Sequence, residues 1–202
     1  PTGIALEREA VLEVARLCAR RSTTLVVDEA FADFCESVSI KAEAGRLKNT
    51  IVLRSMTKFF SMAGLRLGFM VSNPRLIKRF AREKPPWSVN TLASFAGVAA
   101  LKDSRYAEKT LRWLSVERPA LFEGLSGIKG ITPYPSVANY IMARVERPQT
   151  DGLSLRDALF REKILIRVLA AFRGLGRSYF RVAVRSAEDN RALIERMKEV
   201  LG

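Results

Sequence analysis

The chain has 202 residues, 48% of them hydrophobic, enough for one large domain or two small ones around a substantial core. It contains no histidine, which excludes His-activated nucleophiles, His general bases and His metal ligands. Its 34 Lys and Arg against 21 Asp and Glu give a net charge of +13, a field that attracts anions such as a phosphorylated substrate or nucleic acid. A solvated basic surface, or an acidic half elsewhere in a longer protein, would give the same excess.

Apolar residues at Val11, Val14, Ala15 and Cys18 predict a helix over 7–21 with one buried face. Residues 24–27 are β-branched and apolar without alternation, as in a parallel strand covered on both faces, and 50–53 and 69–71 read the same way. Helix and strand segments thus interleave, which predicts an α/β sheet domain. Asn73-Pro74 punctuates the chain before a basic amphipathic segment at 75–84, which Pro85-Pro86 ends. Ser88 is positioned to cap a helix over 89–102, and Leu92, Phe95, Ala96 and Ala99 on one face predict that it packs deeply.

Ser104 offers a further cap, and a long helix follows to about Leu125, which Pro119 is expected to kink or interrupt. The turn-rich stretch 124–135 then leads into a second unit with strands expected at 139–143, 164–168 and 179–184. Ser154 and Ser186 precede helical patterns, and Asp189 follows Ser186 at capping-box spacing. The domain join is expected near Asp103, leaving residues 104–202 as a small α+β domain. No apolar run approaches the roughly 18 residues of a membrane span, and no basic-then-apolar signal segment opens the chain. Cys18 and Cys35 form neither a disulfide framework nor a metal-ligand pair, so a reducing cytoplasm is expected and no metal site.

Chemistry concentrates in two short segments. Asp28-Glu29-Ala30 and Lys58 both fall just beyond strand C-termini, where ligands bind in open α/β sheets. Singly, such a lysine is usually a solvated charge and such an aspartate a turn residue. Together they supply an amine for a carbonyl cofactor and an acid for its ring nitrogen, and Ser55 and Arg66 add donors for a phosphate arm.

The stretch Ser55-Met56-Thr57-Lys58-Phe59-Phe60-Ser61-Met62-Ala63-Gly64-Leu65-Arg66-Leu67-Gly68 resembles the whole pyridoxal-phosphate attachment pattern of the class I and II aminotransferase family. Pro1-Thr2-Gly3 resembles the end of that family's Asn-rich loop, and the resemblance covers nearly all of the chain. It implies a fold-type I pyridoxal 5'-phosphate enzyme, with residues 1–103 as part of the large cofactor-binding domain and 104–202, including a linking helix, as the small C-terminal domain. Lys58 is then expected to hold the cofactor as a Schiff base and afterwards to shuttle protons. Asp28 faces the ring nitrogen, Ser55 and Arg66 hold the phosphate, and Ala30 packs beneath the ring. Phe31 stands where many aminotransferases have a Tyr that hydrogen-bonds the cofactor, a bond unavailable to Phe. The resemblance begins in mid-domain and residue 1 is Pro, so the chain is expected to be a fragment of a longer enzyme, inactive alone.

In the second unit the resemblance gives Asn139 the orientation of the substrate and Arg181 the grip on its α-carboxylate. Without it, Arg181 reads as an exposed residue on a strand's polar face. The segments around Arg167, Arg173 and Arg181 are similar to threonine-phosphate decarboxylases of cobalamin biosynthesis, which implies that Arg167 and Arg173 bind a substrate phosphate; without the resemblance they read as surface charges of a +13 chain. Histidinol-phosphate aminotransferases, a sister group, share the lysine, the acid and the phosphate-arm donors, so those residues do not separate decarboxylation from amino transfer. The expected partner is a phosphorylated amino acid, the parent enzyme is expected to be a homodimer, and neither a membrane nor nucleic acid is expected, since no nucleic-acid motif is present.

Overall fold

The computed structural model describes all 202 residues, which divide into two compact units, Ala5–Glu108 and Pro1–Ile4 with Lys109–Gly202. In the first unit α1 (Arg8–Arg20) leads into β1 (Leu25–Asp28), two single 3-10 turns (Ala32–Phe34 and Glu36–Val38) and the one-turn helix α2 (Lys41–Ala44). There follow β2 (Thr50–Ser55), the one-turn helix α3 (Met56–Phe59), β3 (Gly68–Ser72), α4 (Pro74–Glu83) and α5 (Thr91–Lys102). The sheet order is β1-β2-β3, with β1 parallel to β2 and Asp28 opposite Leu53.

The third strand corrects a sequence expectation: β3 runs antiparallel to β2, with Ser55 opposite Gly68. The segment 56–67 holds only α3 and a loop, and Met56 N–H donating to the Leu67 carbonyl (3.1 Å) closes it back on β2. Gly68 is needed there, because a Cβ would stand 2.6 Å from the Arg54 carbonyl oxygen.

Side chains alternate across the sheet. On one face Leu12, Ile40, Ala44 and Val52 form a core with Val11, Val27, Leu47 and Val71. The other face is more open than expected, with Val26 54% and Leu53 40% exposed.

Helix α5 also departs from expectation. Its N-cap is Asn90, which accepts from Ala93 N–H (2.8 Å), because Ser88 lies too far upstream of the first turn. Leu92 and Phe95, expected to be deeply packed, are each 73% exposed, while Ala93 and Gly97 are buried. The packed stripe is the one made of small residues: a Cβ at Gly97 would meet Leu67 Cδ2 at 2.4 Å.

The division between the units falls within α6 (Ser104–Ser126), whose first-turn donor at Tyr106 is capped by Asp103 (2.9 Å) and not by Ser104. Pro119 does not interrupt this helix. The proline removes one backbone donor, and Leu114, Leu121 and Leu125, all buried, hold the helix on either side of it. The second unit continues with β4 (Ile131–Pro133), β5 (Tyr140–Val145), α7 (Gly152–Arg161), β6 (Arg167–Val168), β7 (Tyr179–Ala183) and α8 (Ala187–Leu201). Its sheet is antiparallel in the order β4-β5-β7-β6. Strand β4 forms within the stretch read as turn-rich, and the strand expected at 164–168 contracts to two residues. Ile141, Phe180, Leu155, Leu159 and Met197 are buried in this unit. Asp151 caps α7 in a box with Ser154, and Ser186 caps α8 through Asp189 N–H (3.1 Å).

Candidate active site

Within the first unit, the C-terminal ends of β1 and β2 bring together Asp28, Ala30, Ser55, Lys58 and Arg66. Asp28 and Ser55 lie on the same sheet face, opposite the one that carries Val27 and Val52. The Asp28 carboxylate is exposed, and its Oδ1 accepts Ala30 N–H (3.0 Å), which leaves Oδ2 for a further donor. Ser55 caps α3: its Oγ accepts Thr57 N–H (3.3 Å) and lies 2.7 Å from Thr57 Oγ1. Lys58, one turn further on, is exposed and takes part in none of the chain's ion pairs; its Nζ sits 5.7 Å from the centre of the Phe31 ring. The loop after it is conformationally constrained. Ser61 and Arg66 have φ of 54° and 56°, in a region that non-glycine residues seldom occupy, and Arg66 Nη1 donates to the Ala63 carbonyl (2.9 Å). Its remaining N–H groups are free to hold an anion, and the Arg66-Leu67-Gly68 backbone runs beside Ser55 and Met56.

Sequence reasoning missed three supports of this arrangement. Phe31 was noted only for lacking a hydroxyl, yet its ring faces the lysine amine, a contact of the cation–π kind. Tyr106 donates to the Phe59 carbonyl (3.0 Å) and stacks on Phe60 at 6.1 Å, bracing the turn that carries Lys58. Arg54, with only 1% of its side chain exposed, bonds Glu29 (3.0 Å), Asp33 (2.6 Å) and Glu36 (2.8 Å). Hydrogen bonds from that guanidinium and from Lys41 hold the Glu36 carboxyl below its ordinary range although burial acts in the opposite direction. These partners are separated along the chain, so periodicity could not reveal them. The only local signal was an arginine interrupting an apolar strand.

In the second unit Arg167 and Arg181 are register partners on β6 and β7 and share a sheet face. Neither takes part in an ion pair, and the Arg181 guanidinium lies over the Tyr140 ring at 4.9 Å. Burial raises the Tyr140 hydroxyl above its ordinary value, against the opposing pull of Arg181 and the Gly3 backbone. Asn139 immediately precedes β5; its carbonyl accepts Val184 N–H (2.9 Å), and its side-chain amide makes no hydrogen bond within the protein. The loop before it is pinned by Arg118, which donates to the Val137 carbonyl (2.8 Å), and by Gly3, whose carbonyl accepts Val137 N–H (2.8 Å). At Gly3 φ is 78° and a Cβ would meet Ser136 Oγ at 2.3 Å, which accounts for the glycine of Pro1-Thr2-Gly3. Arg173 is exposed on the turn between β6 and β7.

The donor set of the first unit fits pyridoxal phosphate: an amine without a carboxylate partner, a carboxylate oxygen left for a ring N–H, and a guanidinium for the phosphate. No group of acidic and sulfur side chains suits a metal ion. Residues 1–197 match the family described as aminotransferase class I and II. The chain is 40% identical to a threonine-phosphate decarboxylase of Salmonella typhimurium, over 100% of this chain and 55% of that protein. It is 42% identical to a histidinol-phosphate aminotransferase of Nitratidesulfovibrio vulgaris, over 89% of this chain and 48% of that one. The crystal structure of the histidinol-phosphate aminotransferase from Clostridium acetobutylicum superposes with a TM-score of 0.93 at 31% identity, covering 99% of this chain and 60% of that one. The chain thus spans about half the length of the curated relatives it matches. With the attachment motif, the strand-end acid and the mixed α/β fold all agreeing with that match, the chain belongs to the class I and II aminotransferases, a pyridoxal-phosphate-dependent family of fold type I.

Proposed function

We propose that this chain is part of an enzyme that decarboxylates L-threonine O-3-phosphate to aminopropanol phosphate, a step in cobalamin biosynthesis, with Lys58 as the cofactor lysine. When bound, pyridoxal phosphate supplies an electron sink for the pair released at Cα as a bond there breaks. Asp28, with one carboxylate oxygen left over from its turn, would hold a protonated ring nitrogen, Ser55 and Arg66 would anchor the phosphate, and Ala30 would leave room beneath the ring. In this reading Lys58, its amine bordered by Phe31 and free of any carboxylate, would deliver the proton that replaces the departing carbon dioxide at Cα.

The observation that carries the substrate reading is the Arg167–Arg181 pair. Two guanidinium groups on adjacent strands, with no acidic partner, suit a substrate bearing both a carboxylate and a phosphate. Arg181 takes the α-carboxylate, Arg167 and Arg173 the phosphate, and Asn139 orients the amino acid. In this reading residues 104–202 supply substrate contacts and residues 1–103 supply cofactor contacts. The relatives named above are about twice as long as this chain, so the activity is assigned to a longer parent; this reading takes that parent to be a homodimer and the 202-residue polypeptide alone to be inactive.

A second reading, histidinol-phosphate amino transfer, is favoured by the close superposition on a solved enzyme of that kind. The two differ in their need for a keto acid. The full-length protein is expected to release carbon dioxide and aminopropanol phosphate from L-threonine O-3-phosphate with no 2-oxoglutarate present. Turnover of histidinol phosphate with 2-oxoglutarate, and none of threonine phosphate, would replace the decarboxylase with the aminotransferase.

A further inference from the structure

Glu29 and Arg54 have no part in the chemistry above, yet each is the immediate neighbour of a residue that does. Glu29 follows Asp28 and Arg54 precedes Ser55, so strand alternation sends the pair to the opposite sheet face, directly beneath the site. There Arg54 Nη1 bonds Glu29 Oε2 (3.0 Å) and Ser39 Oγ (3.2 Å), while Nη2 bonds Asp33 (2.6 Å) and Glu36 (2.8 Å). Glu29 is itself saturated: Ser39 Oγ donates to Oε2 (2.6 Å) and Ile40 N–H to Oε1 (2.9 Å). Its backbone N–H also donates to the Leu53 carbonyl (2.8 Å), extending the β1–β2 ladder one residue past the acid.

Stability alone is a poor reason for this arrangement. Burying an ion pair costs desolvation that an apolar pair of the same volume avoids, and here Arg54 Nε is left buried without any partner. Val52, Ile40 and Ala44 nearby already form an apolar core that could have been extended. What the guanidinium fork provides, and an apolar side chain does not, is fixed geometry. It ties several points of the segment 29–39, which has only single 3-10 turns of its own, to one residue of β2. That segment carries Ala30 and Phe31, and the Phe31 ring faces the Lys58 amine.

We propose that Arg54, through Glu29, is a positioning residue that sets the placement of Asp28, Ala30 and Phe31 relative to Lys58. This rests on the cofactor reading given above. Arg54→Lys keeps the charge and loses the fork, so in the full-length protein the cofactor still attaches but the acid and the amine are misaligned. The expected result is a fall in kcat of about 10²-fold with KM changed by no more than about threefold, since sub-ångström misplacement acts on the reacting geometry more than on binding. The pH midpoint of the bound cofactor's visible absorption band should shift at the same time, with circular dichroism unchanged.

Should Arg54→Lys fail to fold, Glu29→Gln, which keeps the shape and one acceptor, is read by the same three measurements. A variant with a lowered Tm but unaltered kcat and an unaltered pH midpoint would make the network a structural staple and overturn the proposal. If the unsubstituted protein itself shows no absorption band from cofactor bound to lysine, the cofactor reading fails and the clamp falls with it. A normal band in the unsubstituted protein with unaffected variants overturns the clamp alone.

Discussion

Asp28 has one carboxylate oxygen on its own turn and one left over, which is the geometry expected of an acid that must face a ligand. Replacing it by Asn preserves the turn acceptor but removes the charge that favours a protonated ring nitrogen. Asp28→Asn in the full-length protein should therefore still take up cofactor at Lys58 while losing about 10²–10³-fold in kcat, the scale of removing one preorganised electrostatic partner. Unchanged turnover at saturating cofactor would reduce Asp28 to a turn residue. At this scale the site was legible because Lys58, Ser55 and Arg66 sit within one contiguous motif and Asp28 ends an apolar strand. Phe31, Tyr106 and Arg118 were not legible, since each acts on a backbone or side chain brought near only by folding.

Element by element, the helices and strands were easier to find than their ends and their exposure. Caps shifted from Ser88 to Asn90 and from Ser104 to Asp103, because the capping side chain has to meet the donor three residues on and several polar residues compete for that position. The apolar face of α5 reads as buried by periodicity alone, but the contact that forms uses Ala93 and Gly97, whose small size admits Leu67. Strand direction in β3 depended on the length and shape of the loop before it, which hydrophobic pattern does not encode.

The segment 29–39 is held by charge, through Arg54 on Glu29, Asp33 and Glu36. Burial opposes ionisation of Glu36, but Arg54 and Lys41 more than offset it, so its folded-state pKa lies below the ordinary value of 4.5. A carboxyl with a depressed pKa contributes stability above its unfolded value and loses it as the pH falls through the folded one. The hydrogen-exchange protection factors of residues 29–39, taken relative to the intrinsic rate at each pH, should hence hold at neutral pH and fall only below about pH 4.5. Glu36→Gln should remove that acid transition. Equal acid sensitivity in the variant would assign the transition to another group.

For the whole molecule, the match to the family gives a simple context for features that are otherwise odd. A chain of +13 net charge leaves Val26, Leu53, Leu92 and Phe95 open to solvent and spans about half of its relatives. The α/β class of the first unit and the α+β character of the second followed from hydrophobic pattern, whereas the chemistry followed from a motif; neither contains the information that separates decarboxylation from amino transfer, which lies in how the substrate is held against the cofactor. Everything proposed here turns on the identity of one lysine. The full-length protein should be loaded with pyridoxal phosphate, reduced with borohydride, digested and mapped by mass spectrometry. The expected product is a single stable cofactor adduct on the peptide containing Lys58, absent in Lys58→Ala; an adduct on another lysine, with Lys58 unmodified, would contradict it.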